Sequence, residues 1–242
     1  MFSPKHINNF QNESGSALVY ILIAIALLAA LTVTFLEPSG QQASSQNIVK
    51  TITGIRTQAD FIRSAIQECV LSYPQGDDTI DISGGGTDEG ARQNYPIQPN
   101  SSHFDVDDRA SDILARNLKC PGRQDGPDVN DHARLFGGTS GKFMPPPPDL
   151  FENWEYYNGN DGIFIWTHTT KTDAFITTAL TKLDDEFSEC EADVIVGGGS
   201  VHLDSDDTID CLANTVCFRI RMITNSDAVW EGDSDGDEAG CP

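Results

Sequence analysis

Residues 17–36, ALVYILIAIALLAALTVTFL, form an uncharged run of twenty residues close to the N-terminus. A helix of this length rises about 30 Å, which is the hydrocarbon thickness of a bilayer. Twelve of the residues are Leu, Ile, Val or Phe, and the run contains no Asp, Lys or Arg to oppose insertion. The run therefore predicts a transmembrane helix over residues 16–37.

The flanks of this run indicate whether the helix is kept. A secretory signal has a basic leader, an apolar stretch of about 7–15 residues and a small-x-small cleavage site. Here the leader carries only Lys5 and His6 beside Glu13, the apolar run is longer, and no convincing small-x-small site follows it. We therefore expect a retained anchor, with the N-terminus on the cytoplasmic side by the positive-inside rule.

A second helical pattern follows Pro38, which predicts a bend or a helix end. Its apolar residues step by alternating intervals of four and three: Ile48, Ile52, Ile55, Ala59, Ile62, Ile66, Cys69 and Tyr73. This spacing predicts one apolar stripe along an amphipathic helix over residues 38–73. A dimeric coiled coil is the alternative, but the stripe ends where a globular sequence begins, which favours packing against the chain's own domain.

The start of the first helix resembles that of type IV pilin-like proteins, or pseudopilins. Gly15 and Ser16 are followed by the apolar sequence ALVYILIA, residues 17–24. In that family a polar leader ends in Gly, a prepilin peptidase cuts after it on the cytoplasmic side, and the apolar helix stays. The resemblance implies a leader over residues 1–15 that is cut between Gly15 and Ser16. It also assigns three positions to filament or membrane packing: Leu18, Tyr20 and Leu22.

Two positions depart from the family pattern. Ser16 stands where the family usually has Phe or Met, and Tyr20 stands where it usually has Glu at the fifth mature position. That Glu is thought to pair with the N-terminus of a neighbouring subunit, so its absence disfavours a major filament subunit. The resemblance thus implies a non-enzymatic, minor subunit of a type IV pilus or type II secretion-like filament. Its partners would be the membrane, other pilin-like subunits, an assembly machinery and the prepilin peptidase.

An alternative function stays open, namely a single-pass, membrane-anchored extracytoplasmic binding domain that does not polymerise. Both functions place the helix in the inner (cytoplasmic) membrane and the C-terminal domain in the periplasm or at the cell surface. The charge balance agrees with export, since 15 Lys and Arg face 37 Asp and Glu, a formal net charge of -22. Because such a surface repels polyanions, no nucleic-acid partner is expected.

The six cysteines form an even set, which in an exported domain predicts disulfide bonds. They are Cys69, Cys120, Cys190, Cys211, Cys217 and Cys241. We favour Cys69 with Cys120 and pairing of the last four among themselves, although spacing alone selects no connectivity. A zinc site is disfavoured because the chain has no CxxC motif and its histidines lack ligand spacing.

The extracytoplasmic head, residues 74–230, is predicted to be α+β. A helix is expected over residues 105–119 and another from Thr172 or Asp173 to about residue 188. A β-hairpin is expected around the turn at residues 159–162, with further strands at residues 193–196 and 215–223. In the last strand Cys217, Arg219 and Arg221 alternate with apolar residues, which predicts a sheet with one buried face. The expected fold is a long N-terminal helix packed on a small antiparallel sheet, pilin-like, with long disulfide-stapled loops.

Candidate chemistry is sparse. The glycine runs at residues 84–86 and 197–199 lack the GK[ST] of a P-loop, and the scattered histidines suggest no catalytic triad. We therefore expect no enzymatic activity and no catalytic residue.

One candidate metal site lies in the acidic C-terminal tail, residues 231–242. Its oxygen-bearing residues alternate as in the first half of a calcium loop: Glu231, Asp233, Asp235 and Asp237. The match is partial, because the twelfth position, where a bidentate Glu is expected, is Pro242. Calcium is thus the only cofactor candidate, a solvated acidic tail is the alternative, and the acidic turn at residues 204–207 could contribute.

Overall fold

The structure is a computed structural model of the chain. It describes residues 14–36, 39–73, 96–102, 104, 106–107, 109–124, 132–159, 162–188, 190–196, 198–205 and 207–224. Side chains are described for these residues except at 14–16, 33–36, 39–43, 121–124 and 139. The chain divides into two compact units, Met1–Gln46 and Asn47–Pro242, which are described separately below.

The first unit contains helix α1, Ser14–Leu36, and the beginning of helix α2, Ser39–Ser72. In α1 the large apolar side chains are exposed along the described stretch, from Leu18 at 62% to Leu31 at 54%. Among the described residues, no helix combines the length and the apolar character that crossing a membrane requires. The predicted span, residues 16–37, extends at both ends beyond positions 17–32, where the side chains of α1 are described.

The second unit is built around the apolar stripe of α2. Five residues of the predicted stripe are buried in the core: Ile55, Ala59, Ile62, Ile66 and Cys69. They pack with apolar residues of a four-stranded sheet, such as Ile165 and Phe218. The predicted amphipathic helix that packs against the chain's own domain is therefore confirmed over this stretch.

The sheet is formed by four strands: β3 (Glu155–Gly159), β4 (Gly162–Thr169), β5 (Ala192–Val196) and β8 (Val216–Thr224). Their order in the sheet is β3-β4-β8-β5, and every neighbouring pair is antiparallel. Strands β3 and β4 form the predicted hairpin, in which Gly159 pairs with Gly162. The α+β class with an antiparallel sheet is confirmed.

Smaller elements complete the second unit. Helix α3, Ala174–Asp184, follows Asp173 as predicted and places Ile176, Leu180 and Leu183 in the same core as α2. Two short antiparallel ribbons are formed by β1 (Lys119–Gln124) with β2 (His132–Arg134) and by β6 (Val201–His202) with β7 (Asp210–Cys211).

The sheet is buried on both faces, contrary to the expectation of one buried face. Ile163 and Ile165 of β4 lie in the core that contains α2, whereas Phe164 and Trp166 lie in a second cluster with Leu203 and Cys211 from the β6–β7 region. The alternating strand pattern gave a wrong prediction here because the second face is covered by a short ribbon and its loop. The sequence of this ribbon and its loop has no strong hydrophobic periodicity.

Burial of the second face explains two arginines that the alternation had assigned to a polar surface. The exposed fractions of Arg219 and Arg221 are 0% and 3%. Arg219 Nε donates to Asp193 Oδ2 at 2.6 Å, its Nη1 donates to the Leu203 carbonyl at 2.7 Å, and its guanidinium lies 5.6 Å from the Phe164 ring centroid. Carboxylate, carbonyl and ring contacts therefore offset the desolvation of this cation.

The helix predicted over residues 105–119 is also wrong. Among the described residues of this stretch, regular structure is limited to a 3-10 turn at Ala115–Asn117 and the start of β1. Asp112 Oδ1 accepts hydrogen bonds from the Leu114 backbone N–H at 3.3 Å and from Asn117 Nδ2 at 2.6 Å. A short acidic side chain that binds nearby backbone competes with helix formation, which the apolar pattern alone does not reveal.

Candidate functional site

The positions that the pilin resemblance singled out lie in α1. Gly15 and Ser16 belong to its first turn, where only the backbone is described. The side chains of Leu18, Tyr20 and Leu22 are 62%, 70% and 57% exposed. These three residues therefore lie on an apolar helix surface that is open for contact.

The predicted disulfide bonds are found in the second unit. Cys69 at the end of α2 is bonded to Cys120 of β1, and Cys211 of β7 is bonded to Cys217 of β8. Cys190 is disulfide-bonded as well, whereas Cys241 lies outside the described residues. The pairing of Cys69 with Cys120 is the one expected from the sequence.

The predicted calcium ligands Glu231, Asp233, Asp235 and Asp237 lie outside the described residues. Within the described part of the chain, no group of three or more His, Cys, Asp or Glu side chains is arranged to hold a metal ion. In the acidic turn at residues 204–207, Asp204 is fully buried and its Oδ1 accepts the backbone N–H groups of Thr208 and Ile209, both at 2.9 Å. Asp204 therefore fixes the loop between β6 and β7.

A cavity of ≈ 590 Å³ lies in the second unit. We call it the Glu155 cavity. Four chain segments contribute its lining: Gln98, Asn100, Ser111, Asp112, Ile113, Leu114, Glu155, Tyr157, Thr208 and Ile209. Its volume falls within the range of about 300–1,000 Å³ that is typical of small-molecule sites. No pattern in the sequence indicates this site, because its residues come from segments that are distant along the chain.

One wall of the Glu155 cavity is fixed by strand-like pairing along the edge of β3 that does not pair with β4. The Tyr156 backbone N–H donates to the Ile113 carbonyl at 2.9 Å, and Leu114 forms an isolated antiparallel bridge with Glu155. The hydrogen bonds that Asp112 accepts from Leu114 and Asn117 hold the same segment. The two carboxylates that line the cavity, Asp112 and Glu155, are thus placed by backbone hydrogen bonds.

Two further walls are fixed by buried polar contacts. The Tyr156 hydroxyl and Asn158 Nδ2 donate to the Pro96 carbonyl at 2.5 Å and 3.1 Å, which holds the segment carrying Gln98 and Asn100 against β3. In the segment that carries Thr208 and Ile209, the buried Asp204 accepts hydrogen bonds from the backbone N–H groups of both residues. Hydrogen bonds to neighbouring elements therefore hold each of the segments that line the cavity.

Glu155 is the electrostatic centre of this cavity. Burial raises its pKa from the ordinary value of 4.5 to about 7, and the negative charges of Asp112 and Glu152 act in the same direction. Its carboxyl group therefore changes charge near neutral pH. Among the described lining residues none is Lys, Arg or His, so no protein cation in the lining neutralises the two carboxylates.

The arrangement can bind a polar ligand and favours a positively charged one. The remaining lining consists of uncharged hydrogen-bonding side chains, chiefly Gln98, Asn100, Ser111 and Thr208, with apolar contributions from Ile113, Leu114 and Ile209. The scattered histidines of the sequence lie on different strands where they are described, namely His132 in β2, His168 in β4 and His202 in β6, and His103 lies outside the described residues. Burial lowers the pKa of His168, which keeps its ring uncharged at neutral pH.

Comparisons with known proteins returned no matching family model, no matching curated protein and no matching solved structure.

Proposed function

We propose that the chain is a non-enzymatic pilin-like subunit, with a minor role, of a type IV pilus or type II secretion-like filament. The observation that carries the proposal is the contrast between its two long helices. Over residues 17–32, α1 exposes its large apolar side chains, whereas residues 55–69 of α2 bury theirs in the core of an α+β head. A filament subunit of this kind needs an apolar helix for its neighbours and a separately folded head.

The apolar helix has two successive roles in this proposal. It first holds the subunit in the inner membrane, because twenty uncharged residues at positions 17–36 favour insertion. It then packs among the helices of other subunits, which replace lipid as its apolar surroundings. Leu18, Tyr20 and Leu22 would make these contacts, and the head would lie in the periplasm or at the cell surface.

Tyr20 supports a minor role over a major one. A Glu at this position is the family's partner for the N-terminus of the adjacent subunit, and Tyr20 offers no carboxylate for that pairing. A chain with Tyr20 would therefore bind to the neighbouring subunits of a filament with lower affinity than a chain with Glu at this position. We infer a subunit present in few copies, which an assembly machinery places after a prepilin peptidase has cut at Gly15.

A second function is favoured by the same departures from the family pattern. Because neither Ser16 nor Tyr20 is the residue usual in pilins, the chain could instead be a single-pass anchored binding domain that does not polymerise. The two functions differ in the covalent structure of the N-terminus. The filament subunit begins at Ser16, whereas the anchored domain keeps residues 1–15.

The deciding experiment is intact-mass and N-terminal analysis of the protein from the membrane fraction of its native host. We expect a chain that begins at Ser16, and N-methylation of that residue would support the pilin function further. A Gly15→Val variant should retain residues 1–15, because the bulky side chain blocks the cut, and it serves as the matched control. A wild-type chain that retains residues 1–15 in a host with an active prepilin peptidase would refute the proposal and leave the anchored domain.

A further inference from the structure

We propose that the Glu155 cavity binds a small ligand that carries an ammonium group and several hydroxyl groups, such as a protonated amino sugar. This inference concerns the head alone and does not depend on the filament function. The cavity lies in the second unit, at the edge of β3 that does not pair with β4, and its lining residues are not among those assigned to processing, packing or calcium.

The first argument is charge. Asp112 and Glu155 line the same cavity, and the described lining offers them no Lys, Arg or His. An ammonium group donates three hydrogen bonds and brings the positive charge that a pair of carboxylates lacks, which makes such bonds stronger than those between neutral groups. The formal net charge of -22 attracts cations to the whole protein and adds to the local preference.

The second argument is the chemistry of the remaining lining. Asn100, Ser111 and Thr208 each offer both hydrogen-bond donors and acceptors, which match the hydroxyl groups of a sugar or another polyol. Ile113 and Ile209 provide apolar surface that suits the C–H face of such a ring. A purely apolar amine would leave these neutral side chains without hydrogen-bond partners.

The third argument is that the cavity exists before a ligand arrives. Its walls are held by the bonds from Tyr156 to Ile113, from Asn158 to Pro96, and from Thr208 and Ile209 to Asp204. A site whose walls are already ordered loses little conformational entropy on binding. Its ≈ 590 Å³ volume accommodates a ligand of monosaccharide size or somewhat larger.

The test is a ligand-observed NMR titration of the full chain, kept in a nonionic detergent, with D-glucosamine. N-acetyl-D-glucosamine is the matched control ligand because it keeps the ring and the hydroxyl groups but lacks the charge. We expect glucosamine to bind about tenfold more tightly than its neutral analogue at pH 7. Equal affinities for the two sugars, or no saturable binding of glucosamine, would overturn the proposal.

Two variants test whether glucosamine binds in this cavity. Glu155→Gln should weaken glucosamine binding about tenfold, since it removes the charge and keeps the side-chain shape. Glu152→Gln removes a nearby charge that does not line the cavity and should change the affinity less than about threefold. Near-UV circular dichroism of both variants checks folding. If a folded Glu155→Gln protein binds glucosamine as the wild type does, the proposed site is wrong.

The pH dependence of glucosamine affinity is an independent test that needs no variant. Glu155 faces the negative charges of Asp112 and Glu152, and its pKa is raised to about 7. Between pH 5.5 and pH 7 the ionised fraction of Glu155 rises from about 3% to about 50%, so the wild type should gain about fivefold in glucosamine affinity while most of the amine stays protonated. An affinity that is constant over this range would contradict the role of Glu155.

Discussion

Trp154 Nε1 donates a hydrogen bond of 3.0 Å to Gln58 Oε1, and both side chains are buried. The same Gln58 donates from Nε2 to the Pro146 carbonyl at 2.5 Å. One amide of α2 thus joins three separate parts of the head: the helix, the run of prolines at residues 145–148, and the segment that enters β3. The proline run lies along α2 and is part of the fold of the head.

Gln58→Leu is expected to destabilise the head by about 1–3 kcal/mol, because it leaves the buried Trp154 indole N–H and the Pro146 carbonyl without their partner. The free energy of unfolding is measured by guanidinium titration with tryptophan fluorescence. Gln67→Leu, at an exposed position of the same helix, is the control and should stay within about 0.5 kcal/mol of the wild type. A double-mutant cycle with Trp154→Phe should show a coupling of about 1 kcal/mol, and additive effects would contradict the pairing.

The burial of the α2 stripe gives a second prediction. Ile62 is fully buried, whereas Leu71, also in α2, is 80% exposed. Ile62→Ala should cost about 2–5 kcal/mol because it removes apolar contacts and leaves a cavity. Leu71→Ala should cost less than about 0.5 kcal/mol. Similar losses for the two variants in guanidinium titrations would mean that the stripe does not face the core as described.

The two described disulfide bonds close loops of very different length. Cys69 and Cys120 are 51 residues apart, and Cys211 and Cys217 are 6 apart. In the chain-entropy account, the longer loop contributes about 4 kcal/mol and the shorter about 2 kcal/mol. The paired variants Cys69→Ala/Cys120→Ala and Cys211→Ala/Cys217→Ala should lose stability in that order. The reverse order in thermal unfolding would show that loop entropy does not dominate.

The main packing elements were predictable from periodicity. The four-three spacing from Ile55 to Cys69 identified the buried face of α2, because a helix repeats every 3.6 residues. The paired aromatic and β-branched runs around Gly159 and Gly162 identified the β3–β4 hairpin. In both cases a pattern within a short stretch of sequence identifies structure that packs in the core.

The features that could not be predicted depend on contacts between distant segments. Arg219 alternates with apolar residues as an exposed residue would, yet it is buried beneath the β6–β7 region against Asp193. The Glu155 cavity likewise requires Asp112, Glu155 and Thr208 to meet, although each lies in a different segment. Periodicity describes one element at a time and contains no information on contacts between segments that are distant along the chain.

Glu155 should make the stability of the head depend on pH near neutrality. Its folded-state pKa of about 7 lies above the ordinary value of 4.5, so between these values the folded protein keeps a proton that the unfolded chain releases. Stability therefore falls as pH rises from about 4.5 to 7 and changes no further with this group above 7. Glu155→Gln should remove this fall and be more stable than the wild type at pH 8 by about 1–2 kcal/mol, after allowance for solvent screening.

Unfolding free energies at pH 4, 6 and 8 test this pH prediction. The two proteins should differ little at pH 4, where Glu155 is protonated in both states. Glu152→Gln is the control, because it removes only one of the charges that raise the pKa of Glu155 and should stabilise by a few tenths of a kcal/mol. A Glu155→Gln protein that is less stable than the wild type at pH 8 would contradict the described surroundings of this carboxyl group.

Membrane retention should depend on the centre of the uncharged run at residues 17–36. Leu27 lies at this centre and is 61% exposed. Leu27→Asp replaces a favourable contribution by an unfavourable one, a change of about 3–4 kcal/mol in insertion free energy. The variant should move from the membrane pellet to the supernatant after alkaline extraction of host membranes. Val106→Asp, at a position in the head that is 82% exposed, should stay in the pellet with the wild type. If the Leu27→Asp protein also stays in the pellet, the apolar run is not what holds the chain at the membrane.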